Sequence, residues 1–215
     1  MPFPFSKIFR QALGLTQTNR FLWPYGLLLF SVVVYPWAKP GLVAAIAALI
    51  DKRETDFAKS FKAGSFFVGR ITLLAFFAAI FLWLVYIWSV VAFVPVFVFV
   101  SSLLELSLLF VVLHDMKAPD SFSSALTLWA KHWPILIILS IILFLISALF
   151  PAIAAVVFFQ FYGSIGMAFV ALFFLLLASL PLVFTQICWV LAFQELVKPL
   201  KLEEEQAAIL PEVAS

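Results

Sequence analysis

Charge is scarce in this chain. Only 11% of its 215 residues are Asp, Glu, Lys or Arg, against about 25% in ordinary soluble domains. The stretch Trp133–Gln194 contains no charged side chain, and Ile71–Leu104 contains none either. Runs of that length exclude a soluble core. About 20 apolar residues cross a hydrocarbon layer of ~30 Å as a helix, so Trp133–Gln194 holds two crossings in succession. Cysteine is nearly absent: the single Cys188 excludes an intramolecular disulfide and a thiolate metal cluster. Its apolar neighbours mark it as a small packing residue. The two histidines, His114 and His132, with scattered carboxylates, form no metal-ligand pattern. There is no Gly-x-Ser-x-Gly, no His-Glu-x-x-His and no Gly-rich phosphate loop. No catalytic residue, cofactor or metal is therefore expected, nor a nucleic-acid partner. No polar stretch approaches the ~50 residues of a separate soluble domain.

Apolar side chains fill the space that charge leaves. Hydrophobic residues make up 66% of the chain, with 27 Phe. Hydrophobic segments fall at Phe21–Trp37, Pro40–Ile50, Phe66–Ser89, Val94–His114, Pro134–Phe159 and Ile165–Gln194. This patterning predicts an all-α, polytopic transmembrane bundle. A membrane domain over 21–197 is flanked by an amphipathic segment, 1–20, and a tail, 198–215, both on the cytoplasmic side. Met1–Arg20 lacks the apolar centre of a signal peptide, so the first segment is expected to remain as an anchor. A turn is expected near Ser89–Pro95 and another at Gln160–Ser164. Pro151 and Pro181 should kink the last two spans. Phe21–Ile50 is open to three readings: a full hairpin, a re-entrant hairpin, or one interrupted span.

Basic residues favour cytoplasmic loops. With six segments, every Lys and Arg except Lys39 falls on one face, which places both termini in the cytoplasm of a cell-membrane protein. Lys52, Arg53, Lys59 and Lys62 form an interfacial basic cluster suited to topology and to anionic lipid. Asp51, Glu54 and Asp56 partly balance it.

The pattern Phe-x-x-[Ala/Ser]-[Leu/Phe] occurs at Phe9–Leu13, Phe57–Phe61 and Phe122–Leu126. Each copy precedes a basic residue and a pair of hydrophobic segments, and two are followed by Trp-Pro, at Trp23-Pro24 and Trp133-Pro134. Phe122, Ala125, Leu126 and Trp129 share one helical face, with Asp120 and Ser121 placed as N-caps. The chain thus reads as three units, each an amphipathic elbow leading into a hairpin. The segments Phe57–Phe61 and Phe122–Leu126 and the Trp133-Pro134 entry resemble a group of uncharacterised bacterial six-helix membrane proteins. That group is similar to the membrane domain of glycerophosphoryl diester phosphodiesterases. The resemblance implies a bacterial or archaeal cytoplasmic membrane and no catalytic residues, because the phosphodiesterase chemistry belongs to a soluble domain.

Glu105 stands out among the candidate functional residues. It lies nine residues, or ~14 Å, inside the segment that ends at His114. An intramembrane carboxylate must be protonated, paired or hydrated. Ser101 and Ser102 lie one turn before it, Arg70 could reach it by snorkelling, and Gln186 offers an amide in the last segment. Such a set is either a polar intramembrane site or interhelical packing glue. The expected function is accordingly a non-enzymatic membrane protein that organises lipid or a partner, another membrane protein or a second copy of itself. The alternative is a small transporter or channel built around Glu105.

Overall fold

The computed structural model describes residues 3–29, 34–88, 90–160 and 179–198, and among these it contains helices and no strand. In chain order the helices are α1 (Phe5–Thr18), α2 (Trp23–Leu28), α3 (Tyr35–Ile50), α4 (Phe57–Ser65), α5 (Val68–Trp88), α6 (Val90–His114) and α7 (Ala118–Gln160). The described part of α8 is Ser179–Lys198. A single 3-10 turn, Arg20–Leu22, links α1 to α2. Among the described residues, four helices have a stretch long and apolar enough to cross a bilayer: Val68–Ile87, Pro95–His114, Ala118–Ser147 and Ser179–Lys198. The first two hydrophobic segments differ from these. Their described parts hold α2, of 6 residues, and α3, of 16, and at 1.5 Å per residue neither helix matches a ~30 Å layer.

The direction of each helix follows from what its ends touch. A vestibule of about 930 Å³ is lined by Ile50 and Asp51 at the end of α3, Lys59 and Ser60 of α4, His114 at the end of α6, and Val197 and Lys198 of α8. Arg70, near the start of α5, bonds to Asp115 just past α6. So α3, α6 and α8 run toward this polar end, while α5 and α7 run away from it. The core lies between α3, α6, α7 and α8, where Leu42, Ile46, Leu106, Leu109, Leu136, Leu139 and Ile187 are fully buried.

Local chemistry sets the helix boundaries. Asp56 caps α4 by accepting from the Lys59 amide at 2.8 Å, the expected role of an aspartate at that position. Lys52 and Asp115 adopt left-handed backbone angles, φ 56° and 51°, and end α3 and α6 there. The helix over the third Phe motif begins at Ala118, two residues before Asp120, and the Ser121 hydroxyl donates to the Ala118 carbonyl. The N-cap assignment of Asp120 and Ser121 is therefore displaced into the first turn. The kink in α7 is also displaced. Backbone angles leave the helical region at His132 (φ −126°, ψ 22°), not at Pro151. The break falls just upstream of Pro134, whose ring crowds the preceding turn. Of the turn expected near Ser89–Pro95, Ser89 lies outside the described residues, and Val90 and Pro95 are helical within α6. The Gln160–Ser164 turn lies outside the described residues beyond Gln160, and Pro181 falls in the first turn of the described part of α8.

The three Phe motifs enter different surroundings. Phe9 stacks on Phe184 of α8, with ring centroids 6.2 Å apart. Phe57 and Phe61 flank Tyr25 of α2 at 4.7 and 6.4 Å, and the Tyr25 hydroxyl lies 2.7 Å from Ser60 Oγ. Phe122 is exposed beside α5 and α6. The second motif works because α4 lies almost against α3. A Cβ built on Gly64 would sit 2.6 Å from the Gly41 Cα, so only glycine permits that approach.

Candidate functional site

The charged pair at the centre of the bundle joins Lys39 of α3 to Glu105 of α6, with Nζ 2.5 Å from Oε1. The side chains are only 9% and 20% exposed. Lys39 interrupts an otherwise apolar helix, and α3 presents it to α6 because Ala38, Leu42, Val43, Ala45 and Ile46 bury the same short segment. The Lys39 ammonium also lies 5.6 Å from the centre of the Tyr35 ring, within cation–π range. Each charge alone would cost about 3 kcal/mol at bilayer depth on insertion scales. Together they form a neutral pair whose Coulomb attraction offsets much of that cost.

This pair lines a cavity of about 270 Å³ between α3, α6, α7 and α8. Its polar wall comprises Lys39, Glu105, Ser101, Ser140, Ser147, Thr185 and Gln186; Tyr35, Phe97, Phe144 and Trp189 supply aromatic surface. Three of the hydroxyls already donate to carbonyls of their own helices: Ser140 to Leu136 at 2.6 Å, Ser147 to Phe144 at 2.9 Å and Thr185 to Leu182 at 2.9 Å. Each retains lone pairs that can accept. Four buried side-chain atoms have no partner among the described residues: Ser107 Oγ, His132 Nε2, and two that line this cavity, Glu105 Oε2 and Gln186 Nε2. Gln186 is 2% exposed. A buried amide left unpaired costs ~1–3 kcal/mol, so these two atoms give the cavity an open acceptor and an open donor.

Ser101, Glu105 and Gln186 therefore share one wall, and Ser102 and Arg70 lie elsewhere. Ser102 donates to the Phe99 carbonyl at 2.8 Å and accepts from the Trp129 indole at 3.1 Å, which ties α6 to the first part of α7. Arg70 does not extend toward Glu105. It donates to Asp115 Oδ1 at 2.7 Å and to the Asp115 and Met116 carbonyls at 3.2 and 3.1 Å. A nearer carboxylate and two orphan carbonyls at a helix end hold it at the polar rim. Of the basic cluster, Arg53 pairs with Asp51 at 2.6 Å and Lys59 with Asp56 at 3.7 Å, all exposed. Lys52 and Lys62 are exposed too. Lys39 is the residue that sequence reasoning placed outside the site, as the one base on the far face. A lone intramembrane acid calls for a nearby base, and Lys39, standing in the short gap between the first two apolar segments, was the available signal.

No protein-family model matches this chain, and neither curated proteins nor solved structures contain a match. The resemblance to the six-helix membrane proteins rests on the Phe57–Phe61 and Phe122–Leu126 segments and the Trp133-Pro134 entry alone.

Proposed function

We propose that this chain is a multi-pass protein of the cell membrane, with both termini cytoplasmic, that binds and passes a small polar solute at the Lys39–Glu105 cavity. One observation carries this reading: Glu105 Oε2 and Gln186 Nε2 are buried, unpartnered among the described residues, and line the same cavity. Packing glue would be expected to satisfy its own polar atoms. Intramembrane ionisable residues that border a cavity commonly mark a solute or ion pathway. In this reading α2 and α3 form a re-entrant hairpin, entering and leaving at the polar end. Ile50 in the vestibule supports the return of α3 to that end. The test is the infrared carboxylate band of Glu105 in reconstituted bilayers, assigned by Glu105→Gln and followed through H2O/D2O exchange. Prompt exchange-dependent shifts are expected. A band indifferent to exchange would return Glu105 to a purely structural role.

A second reading is favoured by α5. Phe76, Phe77, Phe81 and Trp83 are exposed along it, and a groove of about 570 Å³ between α5 and α6 has an almost wholly apolar lining. Such a surface suits a protein that organises membrane lipids, another membrane protein or its own copies. Lipid retained stoichiometrically after delipidation, and lost with Phe77→Ser, is the expected result if that role dominates.

A further inference from the structure

The cavity chemistry narrows the class of solute. Building on the transport reading above, we infer that the Lys39–Glu105 cavity takes a small uncharged molecule carrying both hydrogen-bond donors and acceptors, such as a polyol or a simple amide.

Three features point to this class. The first is charge balance. Lys39 and Glu105 neutralise each other across 2.5 Å, so the site has no net charge. A cation would have to displace the Lys39 ammonium from the carboxylate, and an anion would have to draw Lys39 away from Glu105. Either exchange leaves a buried charge without its partner, which costs several kcal/mol in a low-dielectric site. An uncharged solute disturbs neither ion.

The second feature is the complement of free hydrogen-bonding atoms. Glu105 Oε2 can accept and Gln186 Nε2 can donate, and neither has a partner among the described residues. The Ser140 and Thr185 oxygens have spent their protons on helix carbonyls and retain capacity to accept. The open wall therefore holds more acceptors than donors. It matches a solute rich in O–H or N–H groups that also offers a carbonyl or hydroxyl oxygen to Gln186.

The third feature is size. A volume of about 270 Å³ falls just below the ~300–1,000 Å³ typical of drug-sized ligands. Glycerol and urea, with a few heavy atoms each, fall within it. The Trp189 side chain and its aromatic neighbours on the same wall cannot replace the hydration shell of an ion.

The test uses the purified full chain in proteoliposomes, with stopped-flow light scattering to follow re-swelling in glycerol and in urea. Gln186→Leu removes an unpaired buried amide, so this variant should fold at least as well as the parent. Glycerol and urea should enter faster than in protein-free liposomes. The protein-dependent rate should fall about tenfold in Gln186→Leu, the equivalent of one lost hydrogen bond of ~1.4 kcal/mol. Glycine, sodium and chloride are run in parallel. Flux of any of these with glycerol and urea at the lipid baseline overturns the uncharged-solute inference and leaves transport standing. Glycerol flux unchanged in Gln186→Leu overturns the assignment to this wall. All solutes at baseline overturn both the inference and the transport reading.

Discussion

Lys39 and Glu105, 66 positions apart in the chain, meet through a direct hydrogen-bonded ion pair that anchors the short helix α3 to the long helix α6. α3 has too few residues to be held by its length in the membrane. Its position depends on side-chain contacts, and this pair is the only one among those described with both ions largely buried. The same contact that places α3 also closes one side of the polar cavity, so stability and solute access share a residue pair.

Removing one member of the pair strands the other. Lys39→Met and Glu105→Gln should each lower stability by about 3–5 kcal/mol, the usual result of breaking a buried pair. The joint change Lys39→Met with Glu105→Gln should recover most of that loss, because no buried charge remains. Thermal unfolding of the detergent-purified protein, analysed as a double-mutant cycle, measures the coupling. Additive losses would mean that the two ions do not interact.

The α3–α4 approach should be equally sharp. At Gly64 a methyl group would collide with the backbone of Gly41, and backbone cannot rotate aside as a side chain can. Gly64→Ala should cost about 1–3 kcal/mol, as overpacking does elsewhere. Gly14 in α1 and Gly69 in α5 have open space where a Cβ would go. Alanine there should be neutral or stabilise by up to about 1 kcal/mol through helix propensity. A Gly64→Ala melt that coincides with the Gly69→Ala melt would contradict the close contact.

How much of this arrangement was legible in the sequence depended on which forces wrote it. The four long helices were visible because the hydrocarbon layer tolerates no charge, and that demand leaves runs such as Ile71–Leu104 free of it. Glu105 was visible for the same reason, as an exception within an apolar segment. The partner of Glu105 was hidden, because pairing is a tertiary choice. Arg70 and Lys39 both could have reached an acid, and local chemistry decided: Asp115 and two helix-end carbonyls captured Arg70. The short α2 and α3 were also hard to read. Hydropathy alone cannot separate a crossing from a hairpin that turns back, since both bury apolar side chains. The site of the α7 kink depended on how Pro134 meets the elbow before it, and the presence of both Pro134 and Pro151 beyond the first turn of one helix gave no means of ranking them.

Arg70 illustrates how a rim contact differs from a buried one. Its ion pair with Asp115 is exposed, 37% and 78% for the two side chains, and exposed pairs contribute about 0–1 kcal/mol. Asp115→Asn keeps a side chain that tolerates the left-handed angle and should change stability by less than about 1 kcal/mol. Arg70→Ala removes the donor to the Asp115 and Met116 carbonyls as well, and should cost about 1–2 kcal/mol. Equal effects of the two substitutions would argue that the carbonyl contacts contribute nothing.

The path of the first hairpin can be read by thiol labelling, because the native Cys188 is fully buried and should stay silent toward a membrane-impermeant maleimide. Lys59→Cys and Lys117→Cys, both at exposed positions, report the polar end. They should label in inverted vesicles and remain unlabelled in right-side-out ones, which would place that end in the cytoplasm. Trp37→Cys then separates the two paths. Trp37 is 39% exposed and lies in the first turn of α3, two residues from the cation that pairs with Glu105. A full transmembrane hairpin carries this position to the outer surface, where right-side-out vesicles would label it readily. A re-entrant hairpin turns back within the membrane and shields it from reagent on that side. Little labelling of Trp37→Cys in right-side-out vesicles is therefore expected. Rapid labelling there would require α2 and α3 to cross the membrane. The Lys39–Glu105 cavity would then open toward the outer face instead of lying behind a hairpin that enters from the cytoplasm.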